Sequence, residues 1–193
     1  MRVLLVFCHP RTDSLTSAVA EAFSAGAREQ GHEIELADLY REGFDPVLHE
    51  PDEPDRSFIG KRYSESAQAE MARVDRNDAI VMVFPVWWWS VPAMLKGWID
   101  RVWNRDWAYG ARTLPHRHGL MIGVASSTEA SFAKRRYGEA MRIQLEMGTM
   151  AYCGIENSRL ELLYESTRNE AASADLVRRA CELGKLFPSA GKG

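Results

Sequence analysis

The chain has 193 residues, of which 46% are hydrophobic and 26% charged, with a formal net charge of −3, as in an ordinary globular protein. A near-neutral chain without a long basic stripe argues against a nucleic-acid binder, and no stretch approaches the ~18 apolar residues of a membrane-spanning helix. The three cysteines, Cys8, Cys153 and Cys181, are scattered, which favours free thiols in a reducing compartment. We therefore expect one domain over residues 1–193, cytoplasmic and without membrane insertion.

Strands and helices alternate along the sequence. Short apolar or alternating runs predict strands at residues 3–8, 33–39, 79–84, 120–125 and 159–164. Longer amphipathic runs predict helices from residue 15 to Gly31 and at about residues 64–76, 92–103, 131–150 and 171–187. Five β-α repeats without hairpin signals indicate a parallel sheet with right-handed crossovers.

The composition of each strand predicts its place in that sheet. Strands one, three and four are apolar throughout, which is typical of strands buried on both faces. Strands two and five alternate, as Ile34 and Leu36 do against Glu33 and Glu35, which favours the edges. The order 2-1-3-4-5 satisfies both conditions, so the predicted fold is a flavodoxin-like α/β three-layer sandwich.

Three unusual loops, residues 9–14, 85–91 and 126–131, follow the three central strands. Because the carboxyl ends of parallel strands meet at one edge of the sheet, these loops should converge and form a single site. Ligands of open α/β sheets bind at this edge, next to the point where the strand order reverses.

The first loop precedes a helix N-terminus, where free N–H groups and the helix dipole favour a phosphate. His9, Ser14 and Thr16 can add donors to such a site. The alternative is that Asp13 or Ser14 only caps the helix. No GxGxxG or GxxxxGK[ST] motif is present, which argues against a dinucleotide-first site and against a P-loop enzyme.

The second loop contains three consecutive tryptophans, residues 87–89, between a buried strand and a helix that Pro92 opens. Their large flat faces suit a planar ligand, so we interpret them as the wall of a cofactor site. Core packing or a dimer interface is the alternative, since aromatic residues dominate both. Three adjacent side chains cannot all enter one core, so at least one should meet ligand, partner or water.

Other features carry weaker predictions. Residues 40–62 form a long loop of the kind that is usually functional or mobile. Gly97 lies inside a predicted helix, which indicates a close helix–sheet approach. His116 and His118 lack a third ligand, so no metal site is predicted.

The aromatic residues that follow the predicted helix 92–103 indicate an interface. Trp103, Trp107 and Tyr109 follow a helix that already supplies core residues. Aromatic side chains beyond the need of a core usually mark an interface, so we expect a homodimer.

Four motifs together resemble a known family: HPRTDSLT (9–16), FPVWWWSVPAMLKGWIDRVW (84–103), DWAYG (106–110) and AYCGI (151–155). They resemble the NAD(P)H:quinone oxidoreductases of the DT-diaphorase type, a group of flavodoxin-like flavoproteins. This group includes the bacterial flavin subunits ancillary to potassium-efflux systems.

The resemblance implies a bound flavin, either FAD or FMN, at the three converging loops, with NAD(P)H as electron donor. Trp88 and Tyr109 would be walls of the substrate slot, with Tyr109 supplied across the homodimer interface. The family's Thr-Thr-Gly-Gly loop after the fourth strand is replaced here by Ser126-Ser127-Thr128-Glu129. The residues that the resemblance assigns to flavin are His9, Ser14, Leu15 and Thr16 for the phosphate, Pro85, Val86, Trp87, Trp88 and Trp89 around the isoalloxazine, and Ser126, Ser127 and Thr128 beside it.

The predicted function is therefore that of an NAD(P)H dehydrogenase (quinone), which reduces quinones or similar electrophiles by hydride transfer in a ping-pong mechanism. One alternative is a flavoprotein regulatory or electron-transfer subunit of a membrane transport system. The other is a flavin-free nucleotide-binding module of the same fold.

Overall fold

A computed structural model of the chain describes residues 1–55 and 60–188. Its five-stranded sheet has the order β2-β1-β3-β4-β5, and every neighbouring pair is parallel, which confirms the predicted topology. The observed strand boundaries lie within two residues of the predicted ones. The strands are β1 (Arg2–Phe7), β2 (Glu33–Asp38), β3 (Ala79–Pro85), β4 (His118–Val124) and β5 (Asn157–Leu163).

Helices cover both faces of the sheet. The α-helices are α1 (Leu15–Glu29), α2 (Glu65–Asp75), α3 (Ala93–Val102), α4 (Glu129–Arg135), α5 (Tyr137–Arg142) and α6 (Glu170–Lys185). A π-helical segment, Ile143–Met150, follows α5. None of the helices in the described residues has both the length and the apolar character that crossing a membrane requires.

Alternate side chains of the central strands enter two separate cores, as the period of two in a strand requires. Val3 and Leu5 of β1 pack in the core that includes residues of α1 and α6. Leu4 and Val6 pack in the opposite core, beneath α2, α3, α4, α5 and the π-helical segment. On the edge strand β2, however, Leu36 is 52% exposed, so the predicted inward face of this strand is only partly covered.

The prediction of one helix over residues 131–150 is wrong, because the chain breaks at Arg136. This residue has a left-handed backbone (φ 58°) and separates α4 from α5. Beyond α5, the buried residues Leu145 and Met150 are five positions apart. A π-helix, with i→i+5 hydrogen bonds, brings residues at this spacing onto one face, whereas an α-helix does not.

The reason predicted for Gly97 is also wrong. A Cβ atom at Gly97 would lie 2.2 Å from the carbonyl oxygen of Pro46, which belongs to the long segment 40–62. The close approach is therefore between α3 and this segment, and not between the helix and the sheet.

A buried ion pair fixes the same segment to α3. Asp52 is fully buried and Arg101 is 5% exposed, with Arg101 Nε and Nη2 lying 3.0 and 2.8 Å from Asp52 Oδ2. The amide and hydroxyl of Ser64, which caps α2, donate to the same carboxylate at 2.8 and 2.9 Å. One carboxylate thus joins the long segment, α2 and α3.

These partners determine the charge state of Asp52. Burial on its own would raise the pKa of Asp52, but the hydrogen bonds from Ser64 and Arg101 outweigh it, and the pKa lies below its usual value. A depressed carboxyl pKa stabilises the fold above the unfolded-state pKa of about 3.9. That contribution is lost as the pH falls through the lower folded-state pKa.

Trp103 and Trp107 do not indicate a dimer interface. Both side chains are buried in the chain's own core, and Trp107 Nε1 donates to Asp75 Oδ2 at 3.1 Å. Trp103 meets Trp98 of α3 edge-on at 6.2 Å, so neither tryptophan is a surplus of aromatic surface.

The buried ion pair generates a stability prediction. Arg101→Met should lower the free energy of unfolding by about 3–5 kcal/mol, since Asp52 would remain buried without its counter-charge. The matched control is Lys96→Met, which breaks the exposed Lys96–Asp100 pair on the same helix and should cost about 0.3–0.5 kcal/mol. Urea unfolding of both variants measures the difference, and equal losses would contradict the anchoring role of Asp52.

Candidate functional site

The three loops that follow β1, β3 and β4 meet at one edge of the sheet, as predicted. The rings of His9 and Trp87, from the first and second loops, lie 6.2 Å apart between centroids. The amide of Val86 donates to the carbonyl of Val124 at 2.9 Å, which couples the second loop to the end of β4. Because α1 and α3 cover opposite faces of the sheet, the gap between β1 and β3 is the point where the chain changes side.

The first loop delivers the open N-terminus of α1. Ser14 is the N-cap, and its hydroxyl oxygen accepts from the amide of Ser17 at 3.1 Å. Its hydroxyl hydrogen can still be donated to another acceptor. Among the described residues, the amide N–H groups of Leu15 and Thr16 meet no acceptor, as is usual at the first helical positions. The capping alternative for Ser14 and a phosphate site are therefore compatible.

His9 is held by the backbone of the same loop. Its Nδ1 lies 3.1 Å from both the amide nitrogen and the carbonyl oxygen of Arg11, whereas Nε2 has no hydrogen-bond partner within the described part of the chain. Arg41 Nη1 donates to the carbonyls of His9 and Pro10 at 3.3 and 3.1 Å and so fixes the loop. Partial burial is the main cause that lowers the pKa of His9, so its imidazole is neutral at pH 7.

The second loop is a tight turn with an unusual sequence. Trp87 and Ser90 exchange two backbone hydrogen bonds, at 3.2 and 3.1 Å, around Trp88 and Trp89. Both central residues have positive φ values, 51° and 59°, which is the pattern of a type I′ turn. Such positions favour asparagine and glycine, and an ordinary residue there costs about 1–3 kcal/mol. A turn strained at two consecutive residues motivates a functional hypothesis.

The three tryptophans differ in what they contact. Trp89 stacks on Tyr137, with centroids 3.9 Å apart and an interplanar angle of 15°, and its ring meets Phe132 edge-on at 5.4 Å. Trp87 is 42% and Trp88 92% exposed. The interpretation of these residues as simple core packing therefore does not hold for Trp87 and Trp88.

The third loop needs no glycine in this conformation. None of residues 126–129 has a positive φ, so Thr128 and Glu129 cause no backbone strain at the two positions where the family pattern has glycines. Thr128 caps α4 by accepting from the amide of Ser131 at 3.1 Å. The carbonyl of Ser127 is occupied by the amide of Glu165 at 3.1 Å.

A cavity of about 220 Å³ lies between the second and third loops. It is lined by Val86, Trp87, Trp88, Trp89, Ala125, Ser126, Ser127 and Phe132. A flavin requires a flat wall for its ring and hydrogen-bond donors for its phosphate. The aromatic faces of this cavity supply the wall, and the hydroxyls and free N–H groups at the start of α1 supply the donors. The residues present therefore fit a flavin.

The structure brings most of the predicted site residues together and leaves two apart. Pro85 is the buried last residue of β3, so it supports the turn from below. Tyr109 does not line this cavity, but lies in a separate turn with its ring 5.7 Å from that of Tyr152. Phe132 and Tyr137 received no predicted role from the sequence, although both lie in the region after the third loop where the resembled family carries a tyrosine and often a histidine.

The structure gives the two histidines of the weak metal motif different surroundings. His116 is buried, with Nε2 3.0 Å from the carbonyl oxygen of Val74, and His118 is the first residue of β4. No three histidine, cysteine or acidic side chains in residues 1–55 and 60–188 are grouped so that they could hold a metal ion.

Comparison with known proteins places the chain in a family. A family model described as "Flavodoxin-like fold" matches residues 1–186 of the chain. The uncharacterized NAD(P)H oxidoreductase YcaK of Escherichia coli K12 is 38% identical over 163 residues, which are 84% of this chain and 83% of YcaK. The structure of an NAD(P)H:quinone oxidoreductase from Methanothermobacter marburgensis is 30% identical, with 96% of each chain covered and a TM-score of 0.91.

A more distant structure shares the fold alone. The FMN-dependent NADH-azoreductase of Bacillus anthracis, solved in complex with FMN, is 16% identical, with 95% of this chain and 97% of that one covered and a TM-score of 0.67. The topology and these likenesses define an α/β protein of the flavodoxin-like class. Within that class, the chain belongs to the family of NAD(P)H:quinone oxidoreductases.

Proposed function

We propose that the protein is a flavin-dependent NAD(P)H oxidoreductase that reduces quinones or similar electrophiles by two electrons. The net reaction converts NAD(P)H, a proton and a quinone into NAD(P)⁺ and a hydroquinone, so that one hydride and one proton reach the acceptor. Bound flavin, as FMN or FAD, would supply the hydride-accepting chemistry, and the protein supplies binding and orientation. The observation that carries the proposal is the meeting of the α1 N-terminus with the strained tryptophan turn at the switch point.

The first loop would hold the flavin phosphate. The free amides of Leu15 and Thr16 lie at the positive end of the α1 dipole, where an anion is stabilised. The Ser14 hydroxyl keeps a hydrogen to donate, and the neutral imidazole of His9, whose ring lies 6.2 Å from that of Trp87, leaves Nε2 as a possible donor. These groups give the phosphate its position without a glycine-rich loop.

The second and third loops would hold the ring system. The turn at residues 87–90 presents flat aromatic surface, and Ser126 and Ser127 line the same cavity. The turn and the third loop are coupled through the Val86–Val124 hydrogen bond, so both walls keep one spacing. Stacking distances of about 3–3.5 Å between reacting atoms need walls that do not move apart.

One chain supplies only part of an enclosed site. The cavity of about 220 Å³ is smaller than the ~300–1,000 Å³ of typical ligand pockets, and Trp88 at its rim is 92% exposed. We infer that a second copy of the chain completes the site.

Exposed apolar side chains offer a surface for that second copy. Ile143 and Met147 of the π-helical segment are 54% and 64% exposed, and Tyr152 is 64% exposed. The segment adjoins the tryptophan turn, since Ser90 Oγ lies 3.4 Å from Gln144 Oε1. A two-fold contact through this surface would include Tyr152, and we infer that it also brings Tyr109, whose ring lies 5.7 Å from that of Tyr152, to the partner's cavity.

The phosphate assignment predicts a specific loss of affinity. The purified protein should be yellow or take up one FMN or FAD per chain, and chromatography of the heat-released flavin identifies which. His9→Ala should weaken flavin binding about 10- to 150-fold, since a charge-assisted hydrogen bond contributes about 1.5–3 kcal/mol.

The matched control is His118→Ala, at the opposite end of the sheet, which should leave flavin affinity unchanged. In flavin-free protein, His9→Ala should change the melting temperature little, because only bound flavin stabilises through this residue. An equal loss of stability with and without flavin would make His9 a structural loop residue. A wild-type protein that takes up neither flavin would refute the proposed function itself.

A single slot predicts the form of the kinetics. Donor and acceptor should use the slot in turn, so double-reciprocal plots at several quinone concentrations should be parallel. Tyr109→Ala should raise the KM for quinone and leave flavin content unchanged, because this residue would line the acceptor side only. Intersecting lines would indicate two separate sites, and the absence of turnover with free quinone would favour a regulatory or electron-transfer subunit.

The exposed surface on the π-helical segment predicts the oligomeric state. Wild-type protein should sediment as a homodimer at micromolar concentration, whereas Met147→Lys should give monomers because it buries an unpaired charge in the contact. Leu36→Lys, which changes a comparably exposed leucine on β2, should remain dimeric. A monomeric wild-type protein with flavin bound would contradict completion of the site by a second copy.

A further inference from the structure

We propose that Tyr137 is a positioning residue for the site: its stack on Trp89 holds the strained Trp88–Trp89 turn in the conformation that forms the cavity wall. The proposal rests on the proposed flavin function, because it explains what gives the wall of the flavin cavity its shape. It adds a residue outside the three converging loops to the group that determines flavin affinity.

The turn does not specify its own conformation. Both central residues are tryptophans with left-handed φ values, where the β-carbon of an ordinary residue is crowded. The reciprocal hydrogen bonds of Trp87 and Ser90 close the turn but leave these two residues in an unfavourable region. An external contact must therefore favour this conformation over a relaxed one, as for other strained residues at functional sites.

The ring of Tyr137 supplies that contact. It lies parallel to the ring of Trp89 at 3.9 Å, a closer centroid distance than any other aromatic pair has within the described residues. Phe132, which is 2% exposed, meets both rings edge-on, at 5.4 Å from Trp89 and 6.0 Å from Tyr137. Phe132 thus packs on the stack from the core side, while Trp89 lines the cavity.

The break in the helix places Tyr137 against the turn. Arg136 adopts a left-handed backbone, which ends α4 and starts α5 in a new direction at Tyr137. The guanidinium of Arg136 also forms an exposed bidentate pair with Glu139 of α5, at 2.7 and 2.6 Å. A continuous helix would place position 137 elsewhere. The left-handed backbone of Arg136 therefore positions the ring that supports the left-handed turn at Trp88 and Trp89.

The test compares three variants: Tyr137→Ala, which removes the stacked ring, Tyr137→Phe, which keeps it, and Tyr164→Ala as the matched control. Tyr164 contacts Phe132 at 5.0 Å but has no ring contact with Trp89, so its loss removes a ring of the same cluster without touching the turn. Acrylamide quenching of tryptophan fluorescence is measured in flavin-free protein, and the dissociation constant for FMN is measured separately.

Quenching reports on the turn, because Trp98, Trp103 and Trp107 are buried while residues 87–89 are exposed to the quencher. Tyr137→Ala should increase quenching and weaken FMN binding about 2- to 13-fold, the equivalent of the 0.5–1.5 kcal/mol of an aromatic pair. The loss follows because only the fraction of protein with the turn closed binds flavin. Tyr137→Phe should match wild type in both measurements.

Two outcomes would overturn the proposal. If Tyr164→Ala increases quenching and weakens FMN binding as much as Tyr137→Ala, the stack is ordinary core packing. If Tyr137→Phe loses as much affinity as Tyr137→Ala, the hydroxyl acts directly and the stack does not position the turn. Failure of the proposed function is distinguishable, since wild-type protein would then bind no flavin while the quenching comparison in flavin-free protein still tests the stack.

Discussion

The burial of β1, β3 and β4 on both faces is the constraint on which the rest of the structure depends. These strands have no water-facing side, so they must lie in the middle of the sheet and need helices on both faces. The connections after β1 and β3 then run to opposite faces, and a cleft opens between the two strands. The polar loop with His9 and the tryptophan turn face each other across this cleft because the strands before them cannot be placed elsewhere.

This chain forms the site without glycines at the tight turns. Glycines at tight turns usually absorb unfavourable backbone angles, but here tryptophans occupy both left-handed positions of the second loop and the third loop contains serines and threonine. The third loop avoids the problem because its φ values are negative. The second loop keeps the unfavourable backbone angles, and aromatic contacts around Trp89 offset their energetic cost. The site is therefore lined by flat, rigid side chains and not by flexible glycine backbone.

The sequence predicted those parts of the structure that depend on burial and periodicity. Apolar against alternating strands determined the sheet order, and the three loops after the central strands determined the location of the site. It could not predict the break at Arg136, since a left-handed arginine has no sequence signature and Tyr137 fits a helical pattern as well as a stack. Nor could it show that Gly97 meets Pro46, or that Trp103 and Trp107 are buried, because these contacts join segments distant in sequence.

Residues 46–52 of the long segment 40–62, of which residues 56–59 lie outside the described part of the chain, are connected to the tryptophan turn through α3. This helix begins at Ala93, three residues after Ser90 closes the turn, and near its other end Arg101 binds the buried Asp52. Gly97, between the two ends, allows Pro46 to pack directly on the helix backbone. The position of α3 is therefore fixed from outside the sheet by the segment that covers it. Because the turn continues directly into α3, the contacts of Asp52 and Pro46 support the cavity wall from one side, while Tyr137 supports it from the other.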